Sequence, residues 1–548
     1  MKKTSFALLL PVAAFSFAPD AHAYTNINGI NINEAIGADA FYQNGIYGQN
    51  ASVANIEAGH FWIGHDSLNW VSASHLYDGV DAITPGPYQD HATSVAQTIA
   101  GREGNANDIL ISSSNASWGI APGVDLYSGN IATSFGANGS FDTTEDSFIS
   151  TYSQYFGSVD VINSSWGATD ENGLYQATSW DFQAQVIDTL AGQNTHTTMV
   201  VAAGNSGSAG SNSVGSPAVA FNVISVGALN TSLNGVASFS SYGPSDFYYG
   251  ETYAGVRSTV DIIAPGSLLN LATYDSDSPA ATDYAYSSGT SFAAPTVAGT
   301  VALLYSQSHT TGMSEDSRDA RVIKAVLLNS ADKISGWSNG TVSMDAVERD
   351  NGTSVQSYDN VLVTTQALDY QMGSGALNAD AAYNQYTQNS TATGWVLDQV
   401  TVGSAYEMDA VTVAASTTLT VTLTWFVQNV VDLDSLNIDQ YALSDLDLEI
   451  WTATPNGSID QLLALSATSL DNVEHLQITF DEETKFVIRV VNYDPNAFDF
   501  LDNASDTETF ALAWNIVGTI IPEPSTYALF GGGILLSLIA LRRRKKQS

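Results

Sequence analysis

The sequence predicts an α/β fold, a doubly wound parallel sheet, followed by a smaller all-β sandwich. Three features carry this reading. From about Ser52 to Ala382, short Val/Ile/Ala-rich runs alternate with helical patterns. Near Tyr383–Gly394 the composition shifts to Asn, Gln, Thr and Ser, as in a linker. Beyond it, alternating or β-branched runs are separated by turn residues, the pattern of a sandwich.

Each element has its own signal. Val53–Ile56, Val124–Tyr127, Val159–Asn163, Met199–Ala203 and Val223–Val226 are compact apolar runs, which suit strands buried on both faces. His91–Ala100 has apolar or small residues at 92, 95, 96, 99 and 100, a helical spacing. Phe292–Tyr305 and Arg321–Ser330 read as buried helices, and Asn33–Tyr47 is expected to include another. In the second domain the expected strands are Val411–Phe426, Asp445–Trp451, Leu476–Phe480, Lys485–Tyr493 and Phe510–Val517. The expected layout is a 1–23 signal peptide, a 24–50 lead, a 51–388 α/β domain, a 395–519 β-sandwich and a 520–548 anchor segment.

The 548 residues exceed one ordinary core and fit two domains plus processing segments. There is no cysteine, which excludes disulfides, thiolate metal sites and a cysteine nucleophile. The 16 Lys and Arg against 56 Asp and Glu give a formal charge of -40. Such a surface repels nucleic acid and anionic lipid, so neither is expected as a partner.

Both ends read as addresses. Lys2-Lys3, the apolar run Phe6–Phe17 and Ala21-His22-Ala23 form a secretory signal cut after Ala23, a substrate for signal peptidase. The other end has Pro522-Glu523-Pro524-Ser525-Thr526, the apolar run Tyr527–Leu541 and the basic cluster Arg542–Lys546. This tripartite end resembles the PEP-CTERM sorting signal of Gram-negative bacteria. The resemblance implies a transient inner-membrane anchor removed by an exosortase-type enzyme, leaving an extracellular or cell-surface protein. A permanent single-span anchor is the alternative.

The strongest chemical signal is Gly289-Thr290-Ser291-Phe292-Ala293-Ala294-Pro295. A serine here opens a helix, and proline is tolerated in the first turn. The helix start offers N–H groups and a positive dipole end to a developing oxyanion. Taken alone, this turn equally serves as an N-cap. A serine nucleophile needs a base, held by a third group. His91, in Asp90-His91-Ala92-Thr93-Ser94-Val95-Ala96, opens a helix of small residues and can project into a cleft. His60, His65, His75 and His196 lack such a helix behind them. Alone, His91 also fits a capping or surface role.

Together these segments resemble the subtilisin-like serine proteases. The Ser291 segment matches the family's serine motif, and Asp90–Ala96 its histidine motif, with Ala92 for the usual glycine and Ser94 for a usual second histidine. Ala121–Tyr127, Asn163–Gly167, Ala202–Gly207, Ser238–Gly243, Asp261–Gly266, Val322–Lys333 and Gly373–Ala379 match further segments in order, over roughly 38–385. The resemblance implies a subtilisin-like sheet and peptide-bond hydrolysis with Ser291 as nucleophile, His91 as base and Asn205 as oxyanion donor. Protein or peptide substrates would lie between Ser164, Ser165, Trp166, Gly167 and Ala203-Gly204. Trp166 suggests an apolar or aromatic P1 residue, though core packing explains it equally. The alternative is a catalytically weak or inactive surface scaffold of the same fold.

One position departs from the pattern. The family's aspartate at the end of the first strand falls on Glu57, in Val53-Ala54-Asn55-Ile56-Glu57-Ala58-Gly59. Glutamate carries the same charge one methylene further out and serves in some hydrolase triads, so a Ser-His-Glu triad is expected. Asp66 is the rival acid. No cofactor is expected for catalysis. Asp432 with Asp434, and Asp445 with Asp447, are spaced to share one face of a strand and could ligate a structural Ca²⁺. A solvated acidic face is the other reading.

Overall fold

Strand β1 (Ser52–Glu57) shows why the sheet is wound on both faces. Every residue from Val53 to Glu57 is buried. Val53 turns into one apolar layer, Ala54 and Ile56 into the other. Side chains alternate along a strand, so a strand covered on both sides reads as a continuous apolar run. The computed structural model describes residues 24–102, 118–136, 140–168, 178–499 and 505–522.

The parallel partners are β2 (Leu76–Asp78), β3 (Asp125–Asn130), β4 (Val161–Ser164), β5 (Thr198–Ala202), β6 (Ile224–Leu229) and β7 (Ile262–Pro265). They form a seven-stranded sheet in the order β7-β6-β5-β4-β1-β3-β2. Helices α1 (Asp90–Ala100), α4 (Thr290–Thr311) and α5 (Ala320–Ser330) cover one face. Helices α2 (Glu145–Tyr155) and α3 (Phe182–Gln193) cover the other. The strand order reverses between β1 and β4, and the crevice outside the carboxyl ends of such strands is where open α/β sheets bind ligands. A hairpin of β8 (Leu269–Ala272) and β9 (Tyr284–Ser287) precedes α4.

Two local expectations are amended. The lead forms single helical turns at Ile32–Ala35 and Asp39–Tyr42 rather than one helix. Gly37 breaks it at φ +79, pressed so near Asp380 that a β-carbon would meet its Cβ at 2.8 Å. The expected linker is shorter, because α6 (Ala379–Thr387) runs into it and a strand resumes at Thr393.

The second body packs a four-stranded antiparallel sheet against an eight-stranded one. Its core holds Leu419, Val421 and Leu423 from one and Leu448, Ile450 and Ile488 from the other. The eight-stranded sheet also takes in Val342–Met344 and Val361–Val363, with Leu362 beside Ala464 in parallel. Val342–Met344 and Val361–Val363 thus pair with the second body's sheet although they lie within the expected 51–388 span. Their runs are too short to reveal by pattern which core they join.

A polar seam ties the bodies together. Asn222 Nδ2 donates to the carbonyls of Asp188 and Val427, each at 3.1 Å, and its Oδ1 accepts from Val427 N at 2.8 Å. Asp471, reaching from the second body, accepts from Ser258 N at 3.1 Å. Burial pushes the carboxyls of Asp188 and Asp471 up to about 7, against the pull of backbone N–H groups and of Arg257 and Lys324.

Candidate active site

Glu57, His91 and Ser291 gather beside the reversal point: His91 contacts Glu57, and its ring lies 5.7 Å from that of Phe292, the neighbour of Ser291. Glu57 ends β1, and its side chain is only 3% exposed. One carboxylate oxygen accepts from Ser165 N at 3.2 Å; the other faces His91 Nδ1 at 3.1 Å. A proton on Nδ1 satisfies this contact and leaves Nε2 with a free lone pair. Glu57, rather than Asp66, meets the imidazole. Asp66 instead donates its N–H to Ala281 O.

His91 stands in the first turn of α1, with 43% of its side chain exposed. Burial pulls its pKa down, but the charge and hydrogen bond of Glu57, with the charge of Asp90, outweigh it and raise it above the usual 6.5. Two loops are stitched together to place it. His60 N donates to Pro87 O and Gln89 N to His60 O, each at 2.8 Å. Gly59, at φ +94, allows this approach: a β-carbon there would lie 2.6 Å from Pro87 O. Of the remaining histidines named above, His60 is held by Ser128 Oγ and Asp78 Oδ1, and His65 by Ser67 Oγ and Asp283 O.

Ser291 lies in the first turn of α4 and is nearly buried. Its Oγ donates to Ser165 O at 2.8 Å. One residue after β4, Ser165, therefore holds Glu57 through its N–H and Ser291 through its carbonyl. The close seating of α4 depends on small residues. A β-carbon on Gly266 would lie 2.7 Å from Gly289 O and 3.1 Å from Ala293 Cβ, and one on Gly299 2.5 Å from Ile120 Cβ.

Asn205 follows β5. Its Oδ1 accepts from Thr290 N at 2.9 Å and Thr290 Oγ1 at 3.1 Å. Thr290 Oγ1 also accepts from Gly204 N at 3.1 Å. With Oδ1 so engaged, Nδ2 is left as donor. A β-carbon built on Gly289 would be 3.6 Å from both Asn205 Nδ2 and Ser291 N. Two N–H donors thus border one small space. Sequence reasoning missed Thr290; its adjacency to Ser291 was the available signal.

The expected walls have distinct roles. Ser164 is fully buried, its Oγ bonded to Tyr152 OH at 2.6 Å, so its side chain supports the cleft from beneath. Trp166 is half-buried, edge-on to Phe141 and Phe148. Gly167 is partly exposed beside it. Ala203 and Gly204 are buried, Gly204 at φ +113.

The acidic pairs are not alike. Asp432 and Asp434 sit in an exposed turn, not a strand, and Asp432 Oδ1 accepts from Asp434 N and Ser435 N. Asp445 and Asp447 lie within a strand, and Arg349 faces buried Asp447 at 3.3 Å. Among the described residues, no three His, Asp or Glu side chains group to hold a metal. The expected signal peptide, residues 1–23, and the apolar run of the tail lie outside the described residues. Among those described, no helix is long and apolar enough to cross a membrane.

The comparisons agree with this architecture. The subtilase family model matches residues 54–375, and a PEP-CTERM protein-sorting motif matches 521–545. Subtilisin DY of Bacillus licheniformis is 32% identical over 290 residues, 51% of this chain and 85% of that protein. Subtilisin NAT of Bacillus subtilis subsp. natto is 32% identical over 304 residues, 55% of this chain and 66% of that protein. Thermitase of Thermoactinomyces vulgaris is 37% identical over 188 residues, 33% of this chain and 52% of that protein. Fold and relatives define the class as serine-type endopeptidase. The chain belongs to the subtilase family.

Proposed function

We propose that this protein is an exported endopeptidase that cleaves peptide bonds through an acyl-enzyme, using Ser291, His91 and Glu57. The observation that carries this is the 3.1 Å contact of His91 Nδ1 with Glu57, whose other oxygen is fixed by Ser165 N. A carboxylate there holds the tautomer and stabilises the imidazolium that forms. Substrate entry draws the Ser291 hydroxyl off Ser165 O toward Nε2. His91 takes its proton as Oγ attacks the scissile carbonyl. Asn205 Nδ2 and Ser291 N donate to the tetrahedral oxyanion. His91 then returns the proton to the leaving amine, and water repeats the sequence on the acyl-enzyme.

Trp166, with its partly exposed ring beside Ser165, supports an apolar or aromatic P1 residue. Chromogenic peptides varied at P1 test this, and a preference for Arg or Lys contradicts it. Signal peptidase would release residues 1–23, and an exosortase-type enzyme would act on the PEP-CTERM segment after transient inner-membrane anchoring. Purified protein should hydrolyse peptides as well as esters, and Ser291→Ala should do neither. A folded protein with no Ser291-dependent hydrolysis indicates a binding scaffold; ester turnover alone indicates a different acyl-hydrolase.

A further inference from the structure

The expected cut after Ala23 would leave Tyr24 at the head of the chain, and Tyr24 is fully buried. It joins the apolar layer that holds Val95 and Ile99 of α1 and Ala293 and Val297 of α4. Burial pushes its phenol up to about 12, against the pull of two hydroxyls, Thr296 of α4 and Thr98 of α1. Each of those hydroxyls donates back along its own helix at 3.0 Å, to Phe292 O and to Ser94 O. Tyr24 therefore stands between the helix that carries Ser291 and the helix that carries His91. At 1.5 Å per residue it meets them roughly 7–11 Å down their axes from those side chains, so it touches no reacting atom.

The residues that follow reach the same helices through their backbone. Thr25 O accepts from Asn270 N at 2.8 Å and Ile27 N donates to Leu268 O at 2.9 Å, which lays the lead along β8. At the far end of β8, Ala272 O accepts from Ser94 Oγ at 2.7 Å and Ala272 N donates to Gln97 Oε1 at 3.4 Å, both in α1. At its near end, Leu268 N donates to Ser288 Oγ at 2.8 Å, just ahead of the Ser291 turn. Buried Asn26 pins the bend: its Nδ2 donates to Thr231 O at 2.8 Å, and its Oδ1 accepts from Asn28 N and Ile30 N.

We infer that Tyr24 is a positioning residue for the reaction, a wedge that sets the spacing of the His91 and Ser291 helices and is locked in place by Thr25–Ile27 on β8. The inference rests on the Ser291–His91 reading above. A close-packed interior passes on a change of shape rather than absorbing it, and misplacing reacting groups by about 1 Å can cost about 10²-fold in rate.

The test compares the full chain with Tyr24→Ala, Tyr24→Phe and Phe41→Ala. Phe41 is also fully buried in the lead, but its ring packs edge-on against Tyr383 of α6, so its loss weakens the lead without emptying the wedge. Each protein is measured at a temperature where circular dichroism shows it folded. The readouts are peptide kcat and KM and the rate at which a fluorophosphonate labels Ser291. Tyr24→Ala should lose about tenfold in kcat and label about tenfold more slowly, with KM changed by less than about twofold. Tyr24→Phe keeps the ring and should recover most of that loss. Phe41→Ala should lower the melting temperature yet keep kcat within about twofold of the parent. Parental kcat in Tyr24→Ala, a Tyr24→Phe variant as slow as Tyr24→Ala, or an equal loss in Phe41→Ala overturns the inference. If Tyr24→Ala does not fold, Tyr24→Leu is judged by the same results, and failure of both to fold makes Tyr24 structural alone and overturns it. A folded parent that neither cleaves peptides nor takes the label overturns the endopeptidase reading instead.

Discussion

Replacing Glu57 probes the mechanism most sharply. In Glu57→Gln the oxygen facing His91 Nδ1 at 3.1 Å can become an amide NH₂. That group donates, so it selects the tautomer with Nδ1 bare and the proton on Nε2, where the base is needed. The corresponding acid-to-amide change in serine proteases costs about 10⁴ in kcat. Glu57→Asp keeps the charge but shortens the arm by ~1.5 Å, one C–C bond. Drawn straight back, the contact opens to ~4.6 Å, past hydrogen-bond range. At an effective dielectric of about 20 the charge–charge attraction weakens by ~1.7 kcal/mol, or about 20-fold in rate as an upper bound. The half-exposed imidazole is partly screened by solvent, so a loss nearer tenfold is expected. The assay is peptide kcat/KM across pH. The base must be neutral, so the rate rises with pH through the His91 pKa. Glu57 raises that pKa, so the acid limb should move to lower pH in Glu57→Gln. A Gln variant within tenfold of the parent, with its acid limb unmoved, refutes the assignment of Glu57.

Other outcomes follow from the same geometry. Asn205→Ala should lower kcat by about 10²–10³ with little change in KM, as when one oxyanion donor is lost; a change confined to KM contradicts that role. Thr290→Val removes the hydroxyl that anchors Asn205 Oδ1 while leaving the Thr290 N contact. A kcat loss smaller than that of Asn205→Ala is expected, and the double variant should be no worse than Asn205→Ala alone. Asn222→Ala strips the seam and leaves Val427 N and O without their partner. At ~1–3 kcal/mol for each of these two unsatisfied buried groups, urea unfolding should report a loss of about 2–6 kcal/mol. An unchanged midpoint argues that the seam contributes nothing to stability.

The proposed site was legible where its chemistry is local. Ser291, His91 and Asn205 each sit in a short segment of small residues, and Gly207 shows the packing reason for one of them, lying against Ser240 O where a β-carbon has no room. Glu57 was legible by register, because it ends an apolar strand. Thr290 was not, since its role needs Gly204, Asn205 and Ser291 brought together from three elements. Helix α2 escaped notice because its buried face is made partly of Ser147, Thr151, Tyr152 and Tyr155, which hydropathy does not count as apolar. The Asp432–Asp434 spacing suggested a strand, but Asp side chains also cap their own turns, and here that preference won.

The central claim is that Ser291 is a nucleophile activated by His91. A fluorophosphonate probe forms a covalent adduct with an activated serine, and mass spectrometry locates it. The account predicts one adduct on Ser291 of the folded protein, absent in Ser291→Ala and much slowed in His91→Ala. Folded protein that stays unlabelled, or that carries the label on another serine, contradicts it.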